Sequence, residues 1–91
     1  MTRTLVWEWW AFDAWTAIEA RDPALAERIL LAVEQYVETG RGDVRKLTAR
    51  GDLRRLRVGA WRVLFRHERS RTGEILVVVV VAIADRRDAY R

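Results

Sequence analysis

Arginine side chains recur at alternate positions in residues 53–67, where the positions between them hold large apolar residues. In an extended chain, alternate side chains point to opposite faces of a sheet, so these arginines share one face. The basic residues in question are Arg55, Arg57, Arg62 and Arg66. Guanidinium groups gathered in this way can bind phosphate oxygens bidentately and stabilise negative charge in a transition state. The pattern favours a phosphate-binding surface over one whose arginines are neutralised by acidic residues from elsewhere in the fold.

The two halves of the chain carry charges of opposite sign. Residues 1–40 hold 3 arginines and 7 acidic residues, whereas residues 41–91 hold 14 basic and 6 acidic residues. The net charges are therefore −4 and +8, which together give the +4 of the whole chain. A basic half of this kind is typical of a domain with an anionic partner. Nucleic acid is the first candidate partner and an acidic protein segment the second, and a merely solvated basic surface is the alternative.

Other residues that could carry chemistry are few. His67 is the single histidine, and alternation places it on the apolar face, so we expect a core residue rather than a catalyst. The chain has no cysteine, which excludes disulfides and thiolate metal sites. It also has no glycine-rich phosphate loop and no nucleophile elbow. We therefore predict that the protein uses no metal ion and no cofactor.

The length and the apolar content predict one small domain spanning residues 1–91. Hydrophobic residues make up 51% of the chain, which is enough for a core, while 91 residues are too few for two domains. The longest apolar run, Ile75–Ala84, has about half of the roughly 20 residues that a membrane-spanning helix needs. The N-terminus lacks the apolar core of a signal peptide, and the absence of cysteine suits a reducing compartment. We expect a cytoplasmic protein that does not associate with membranes.

The elements that must position the arginines follow from hydrophobic periodicity. Leu5–Trp10 is rich in aromatic and branched residues and predicts a short strand. Phe12–Ala20 has apolar residues three positions apart, which indicates a short helix. Asp22 as N-cap and Pro23 as first helical residue begin a second helix, whose apolar positions recur at three and four until Gly40. The short connection between the two helices predicts a helical hairpin.

The pattern in the second half of the chain alternates, which predicts consecutive antiparallel strands. Val44–Arg50 is a weak or edge strand, and Gly51-Asp52 is a turn. Leu53–Val58 and Trp61–His67 form a hairpin, because the glycine that leads the two residues between them, Gly59, suits a type II′ turn. This turn sets the register, in which Val58 faces Trp61, Arg57 faces Arg62, Leu56 faces Val63 and Arg55 faces Leu64.

The last apolar segment, Glu74–Ala84, contains five consecutive valines. Valine is stiff and favours strands, so this segment predicts a strand that is buried on both faces inside the sheet. A charged tail with one aromatic residue, Asp85–Arg91, follows the strand. Together these elements predict an α+β fold in which an N-terminal strand precedes a helical hairpin, which packs on a mainly antiparallel sheet of four to five strands.

Three segments of the basic half form a pattern that is found together in one known family: Gly42–Leu47, Leu56–Arg66 and Arg86–Arg91. They resemble the RelE/ParE superfamily of type II toxin–antitoxin toxins. The order of elements in that superfamily is similar, with a strand, a helical hairpin, antiparallel strands and a basic aromatic tail. The tail of this chain resembles the RelE branch more than the gyrase-directed ParE branch.

The resemblance implies a metal-independent endoribonuclease that enters the ribosomal A site, cleaves messenger RNA and inhibits translation. It also implies a cognate antitoxin, which binds the toxin in a hetero-oligomer. Carried over by position, the implied catalytic residues are Arg62, Arg86 and Tyr90, and the implied RNA- and phosphate-binding residues are Lys46, Arg55 and Arg57.

The resemblance leaves two other functions open. Asp85 stands where related toxins often have a histidine, which removes a proton carrier and adds negative charge beside the implied site. A ParE-like toxin that inhibits DNA gyrase by binding needs no proton transfer, and neither does a non-catalytic basic RNA-binding module. Tyr90 is the one tail group able to exchange a proton, and stacking on a base is its alternative role.

Overall fold

The computed structural model of the 91-residue chain describes residues 3–47 and 52–85. These residues form two helices and five strands. In chain order the elements are β1 (Thr4–Trp7), α1 (Trp9–Arg21), α2 (Pro23–Thr39), β2 (Val44–Lys46), β3 (Leu53–Val58), β4 (Trp61–Arg69) and β5 (Ile75–Asp85). The arrangement confirms the predicted α+β fold with an N-terminal strand and a helical hairpin.

The strands form one sheet in the order β1-β5-β4-β3-β2. β1 runs parallel to β5, and the other neighbouring pairs are antiparallel. The helices pack on one face of the sheet, where Ile18 and Ile29 lie in the same core cluster as Val63 and Val80. The opposite face carries no helix in the part of the chain that the structure describes, and we call it the open face.

The β3–β4 hairpin has the register predicted from its turn, with Arg57 opposite Arg62 and Leu56 opposite Val63. Gly59 begins the turn with a φ of 60°, a conformation that glycine adopts without the steric cost met by other residues. Leu56 and Val63 are 2% and 0% exposed. The alternation therefore divides the hairpin into a core face and a basic face, as the sequence predicts.

β5 is an interior strand with β1 on one side and β4 on the other. Its valines are buried on both faces, as predicted, because Val78 and Val80 belong to the core under the helices while Val79, on the open face, is also buried. The register with β4 shifts where Leu64 pairs with Ala82, and this leaves one extra β5 residue between Val80 and Ala82. Such a bulge bends the strand locally.

The predicted strand Leu5–Trp10 is wrong at its C-terminal end. β1 ends before Glu8, and Trp9 and Trp10 form the first turn of α1. Glu8 has the extended backbone of an N-cap residue, and its carbonyl accepts the first hydrogen bonds of the helix. The indole of Trp10 then reaches back to β5 and donates to the carbonyl of Val81 at 2.6 Å. This tertiary contact overrides the strand preference of aromatic residues.

α2 begins and ends where the sequence predicts. Asp22 Oδ1 accepts the N–H of Leu25 at 3.2 Å, and Pro23 lies in the first turn. Gly40 ends the helix with a φ of 75°, which is the left-handed conformation of a C-cap glycine. Neither α1 nor α2 is long and apolar enough to cross a membrane, and this finding covers only the described residues.

β2 is a short edge strand, as predicted, and it covers Val44–Lys46. Residues 48–50 of the predicted edge strand and Gly51 of the predicted turn lie outside the described residues. Asp52 lies in the turn that enters β3.

Candidate phosphate-binding site

A concave pocket of about 450 Å³ lies in the open face, over the end of the sheet formed by β2, β3 and β4. Its lining combines basic and apolar side chains. The lining residues are Arg45, Arg55, Arg57 and Arg62, with Leu47, Leu64 and Ala84. We call this group of residues the arginine pocket. No acidic side chain lines it within residues 3–47 and 52–85.

Strand register brings the four arginines of the pocket together in two cross-strand pairs. Arg45 of β2 lies opposite Arg55 of β3, and Arg57 of β3 lies opposite Arg62 of β4. Residues that face each other across strands have Cβ atoms about 4.5–5.5 Å apart, and like charges at that separation repel. The register therefore concentrates positive charge at this end of the open face, where an anion can bind.

Burial strengthens this reading at Arg55. The residue is only 9% exposed, although arginine is almost never fully buried unless it is paired. Among the described carboxylates, none forms an ion pair with Arg45, Arg55 or Arg57. Arg57 is exposed, and its Nε lies 3.4 Å from the carbonyl oxygen of Gly59. A phosphate in the pocket would give these guanidinium groups the charge-assisted hydrogen bonds that suit their geometry.

The apolar lining residues extend the range of groups that the pocket can hold. Leu47, Leu64 and Ala84 present hydrocarbon surface between the guanidinium groups. A volume of about 450 Å³ is larger than a single phosphate group needs and accommodates a nucleotide-sized group. Arginine stays protonated at neutral pH and accepts no proton, so the arginine pocket supplies charge and position rather than a general base.

Arg66 lies on the same face but, unlike Arg45, Arg55 and Arg57, it forms ion pairs with described carboxylates. It lies on β4, and its NH1 is 2.9 Å from Glu68 Oε2 while its NH2 is 3.8 Å from Glu8 Oε1. It does not line the pocket. The neutralised surface that the sequence leaves as an alternative is therefore found at Arg66, whereas Arg55, Arg57 and Arg62 belong to the pocket.

Lys46 does not join the predicted site residues in the pocket. It lies opposite Arg54, and alternation along β2 turns it to the face away from the pocket, where it is exposed. Its neighbour Arg45 lines the pocket instead. Sequence reasoning missed Arg45 because no short two-residue turn in the sequence fixes the register between the edge strand β2 and β3.

The two tail residues of the predicted site, Arg86 and Tyr90, lie outside the described residues. Asp85 is the last described residue, and it ends β5 opposite Trp61.

His67 is a core residue, as predicted. It is 7% exposed and lies on the helix-covered face, and its Nε2 is 2.8 Å from the hydroxyl of Tyr36. Arg54 Nε donates to its Nδ1 at 3.4 Å, so in the neutral ring the proton resides on Nε2 and is donated to Tyr36. Burial lowers the pKa of His67 and raises that of Tyr36. Neither group reaches the arginine pocket.

Asp52 neutralises the arginines around His67. Its carboxylate accepts hydrogen bonds from Arg69 Nε and lies 2.9 Å from Arg54 NH2, and its Oδ2 is 3.6 Å from His67 Nδ1. The hydrogen bond from Arg69 lowers the pKa of Asp52, and the positive charge of Arg54 acts in the same direction. We call Tyr36, Asp52, Arg54, His67 and Arg69 the histidine cluster. Sequence reasoning missed this network, because its members come from three separate elements and one turn.

The comparisons with known proteins agree with this fold. The family model for the ParE toxin of the type II toxin–antitoxin system, parDE, matches residues 5–90. A search of curated proteins finds no match to the sequence.

Solved structures give three close fits to the backbone. A YoeB/ParE toxin from Agrobacterium tumefaciens is 17% identical with a TM-score of 0.73, and the match covers 90% of this chain and 96% of that one. The archaeal RelE–RelB complex from Pyrococcus horikoshii contains a chain that is 22% identical with a TM-score of 0.71, covering 94% and 97%. The toxin–antitoxin complex RelBE2 from Mycobacterium tuberculosis contains one that is 19% identical with a TM-score of 0.57, covering 94% and 100%. At these identities the likeness concerns the fold.

Proposed function

This chain belongs to the ParE toxin family of type II toxin–antitoxin systems. We propose that it is a ribosome-dependent endoribonuclease. In this proposal it cleaves messenger RNA and so inhibits translation. The observation that carries the proposal is the arginine pocket, whose described lining combines four arginines with three apolar residues and contains no acidic residue.

The chemistry of RNA cleavage matches what such a pocket supplies. The 2′-oxygen of one nucleotide attacks the adjacent phosphorus, the bond to the 5′-oxygen breaks, and the products are a cyclic phosphate and a free 5′-hydroxyl. Negative charge builds up on the phosphorus oxygens during this step. Guanidinium groups that donate hydrogen bonds to those oxygens stabilise this negative charge. One such donor typically raises the rate about 100- to 1,000-fold. We assign this role to Arg55, Arg57 and Arg62, and we add Arg45 because it lines the same pocket.

The proton transfers need a different group. The 2′-hydroxyl must lose a proton and the 5′-oxygen must gain one, yet arginine cannot act as a base at neutral pH. His67 is buried on the opposite face of the sheet and cannot serve the pocket. We assign this role to Tyr90, the one group of the tail that can exchange a proton. Much of the remaining acceleration comes from the ribosome, which orients the message.

We further propose that a cognate antitoxin holds the toxin in a hetero-oligomer and blocks the arginine pocket. Solved structures with the same fold are complexes of RelE with RelB and a toxin–antitoxin complex. A surface with this much positive charge also attracts other anionic polymers in the cell unless a partner covers it.

Inhibition of DNA gyrase by binding is the second candidate function. The observation that favours it is that the described lining of the arginine pocket contains no group able to exchange a proton. A toxin that only binds its target needs positive charge and shape, and it needs no general acid or base.

A paired assay distinguishes these functions. The purified toxin is incubated with ribosomes programmed with a defined message, and separately with gyrase and relaxed plasmid. We expect cuts in the message only when ribosomes are present, loss of those cuts in Arg55→Ala, and their retention in Arg66→Ala. Arg66 is the matched control because it lies on the same face but outside the pocket. Inhibition of supercoiling without cleavage of the message would overturn the proposed activity in favour of the second candidate.

A further inference from the structure

Two neighbouring tryptophans at the start of α1 are exposed. Trp9 is 72% exposed and Trp10 is 48% exposed, although tryptophan is highly buried on average. Their rings contact each other edge to face, with centroids 5.8 Å apart and an interplanar angle of 82°. We call Trp9 and Trp10 the tryptophan pair. Large apolar side chains that are exposed side by side mark interaction sites more often than single ones do.

The aromatic residues around the tryptophan pair have structural partners. Trp15 donates from its indole to the carbonyl of Ala26 on α2 at 2.9 Å. Phe12 stacks on Trp15 and contacts Trp7 edge to face. Within residues 3–47 and 52–85, the ring of Trp9 contacts no aromatic ring except that of Trp10. Packing inside the fold therefore explains these neighbours but does not explain Trp9.

A hydrogen bond holds the tryptophan pair in place. The indole N–H of Trp10 donates to the carbonyl of Val81 on β5 at 2.6 Å. This bond uses the single polar group of the indole, and the ring nevertheless stays about half exposed. A tryptophan side chain has only two rotatable bonds, so holding it costs little further entropy when a ligand binds. The pair is a preorganised aromatic surface.

Strand register places this surface beside the arginine pocket. Val81 directly precedes Ala82, which pairs with Leu64 of the pocket lining. Ala84, which also lines the pocket, follows Val81 by three residues, or about 10 Å along an extended strand. β1 pairs with β5 only as far as Val80, so in the described chain it does not extend along this part of β5. The tryptophan pair therefore lies at the border of the pocket formed by β5.

The two surfaces offer complementary chemistry to a single-stranded nucleic acid. Such strands are bound by positively charged grooves that follow the phosphates, together with aromatic rings on which the bases stack. The arginine pocket supplies the charge, and its described lining holds no acidic residue. Glu8, the acidic residue next to the tryptophan pair, lies 3.8 Å from the guanidinium of Arg66 and is neutralised by it. Bases in a duplex are stacked on each other, so the matching ligand is an unpaired strand.

We propose that Trp9 and Trp10 form a stacking platform for unpaired bases of the RNA strand whose phosphate binds in the arginine pocket. The inference rests on the proposed ribonuclease function and adds two positioning residues to it. Every base has a π face, so the platform holds the strand without selecting its sequence. The tryptophans touch bases next to the reacting nucleotide, and they take no part in proton transfer.

The first experiment separates stacking from charge. The probes are a hexamer of 2′-O-methyladenosine, which lacks the 2′-hydroxyl needed for cleavage, and an abasic hexamer with the same phosphates but no bases. Each is titrated at low salt into ¹⁵N-labelled toxin and followed by two-dimensional NMR. We expect the adenosine hexamer to shift the indole N–H signals of Trp9 and Trp10 and the amide signals of Arg55 and Arg57. The abasic hexamer should shift only the arginine signals.

Variants at Trp9 test the platform by affinity. Trp9→Ala should weaken binding of the adenosine hexamer about 5- to 30-fold, the usual effect of losing one stacked base, and should leave binding of the abasic hexamer unchanged. Trp9→Tyr should restore most of the affinity, because tyrosine also stacks. Leu31→Ala is the matched control, since Leu31 is an apolar residue of α2 that is 55% exposed and lies outside the pocket. The exposure of Trp9 predicts an unchanged melting temperature.

Cleavage on programmed ribosomes gives an independent measurement. Trp9→Ala should raise the toxin concentration needed for half-maximal cleavage and leave the rate at saturation unchanged, as expected for loss of uniform binding. Cleavage that is normal in Trp9→Ala at every concentration would overturn the platform and leave the ribonuclease function standing. A toxin that binds the hexamer through both surfaces but cuts no message would refute the ribonuclease function and leave the platform as an RNA-binding surface.

The NMR titration can also overturn the proposal. Indole signals that do not move, or that move equally with the abasic hexamer, would show that bases are not the ligand. Indole signals of Trp9 that shift with toxin concentration alone, without any hexamer, would assign the tryptophan pair to contact with a second copy of the chain.

Discussion

The arginine pocket and the histidine cluster gather cations on opposite faces of the same β3–β4 hairpin. In the histidine cluster, Arg54 and Arg69 both contact Asp52, and the buried imidazole of His67 is hydrogen-bonded on both nitrogens. In the arginine pocket, four guanidinium groups line a cavity to which the described residues contribute no carboxylate. The first is a satisfied polar network, which stabilises the fold. The second gathers positive charge in a cavity, where Arg45, Arg55 and Arg57 have no described carboxylate as an ion-pair partner, and such a cavity suits an anionic ligand.

The two regions also differ in which groups can move a proton. The histidine cluster contains an imidazole and a phenol, but both are buried under the helices. The pocket is open to a ligand, but arginine supplies all of the polar lining that the described residues contribute. A catalytic toxin must therefore bring a proton-exchanging group to the pocket from outside its described lining. This difference yields predictions that run from the largest expected effect to the smallest.

The largest effect is expected for Tyr90→Phe. If Tyr90 exchanges a proton in the cleavage step, removing its hydroxyl should slow cleavage of ribosome-bound message by about 100- to 10,000-fold, the usual contribution of general acid–base catalysis. If the ring only stacks on a base, phenylalanine should retain most of the rate. The measurement is a single-turnover cleavage assay on programmed ribosomes. Deletion of residues 88–91 serves as a reference, since it removes both roles, and its melting temperature should match that of the full chain.

A slightly smaller effect is expected for Arg57→Ala in the pocket. Loss of a guanidinium that stabilises transition-state charge should reduce cleavage by about 100- to 1,000-fold. Stability should hold or rise by a few tenths of a kcal/mol, because the substitution relieves repulsion with Arg62 across the strands. Arg57→Lys keeps the charge but loses the bidentate fork, so partial activity should return. Thermal unfolding measures the predicted effect on stability, and the cleavage assay measures the predicted effect on activity. A large fall in melting temperature would show that Arg57 is structural.

The matched substitution in the histidine cluster, Tyr36→Phe, should have the reverse profile. It leaves the Nε2 proton of buried His67 without its acceptor, which costs about 1–3 kcal/mol of stability. In a domain of this size, each kcal/mol lowers the melting temperature by about 4–8 °C. Cleavage at a temperature where the variant is folded should be unchanged. A fall in cleavage rate without loss of stability would link the cluster to the active site.

Much of the pocket was predictable because local patterns determine it. The glycine-led turn at Gly59 fixes the β3–β4 register, and alternation then places Arg57 opposite Arg62. The limits of α2 were likewise set by residues next to it in sequence, Asp22 and Gly40. Such features depend on neighbours within a few residues, so the sequence carries them directly.

Features that depend on distant contacts were not predictable in the same way. The helical start at Trp9 rests on the hydrogen bond from Trp10 to Val81, which joins residues far apart in the chain. Arg45 rather than Lys46 lines the pocket because of the register in which the edge strand β2 pairs with β3. The carboxylate of Asp52 meets Arg69 only after β4 has folded beside β3. A single sequence shows the residue types in these contacts but not their pairing.

The smallest effect is expected from a change of pH, which acts on the histidine cluster and not on the arginines of the pocket. Burial lowers the pKa of His67 below its ordinary 6.5, so the unfolded chain binds a proton more readily than the folded one. The free energy of unfolding should therefore be constant above about pH 7 and fall as the pH drops below 6.5, by at most about 1.4 kcal/mol per pH unit. Asp52, whose pKa is held below 3.8 by Arg69, adds a second loss only at lower pH. Protonated His67 would also face Arg54 and Arg69, which adds repulsion.

Urea unfolding between pH 5 and 8 measures how the free energy of unfolding changes with pH. The substitution His67→Gln should flatten this dependence, while Arg57→Ala should leave it unchanged. An equal slope in His67→Gln would place the titrating group elsewhere.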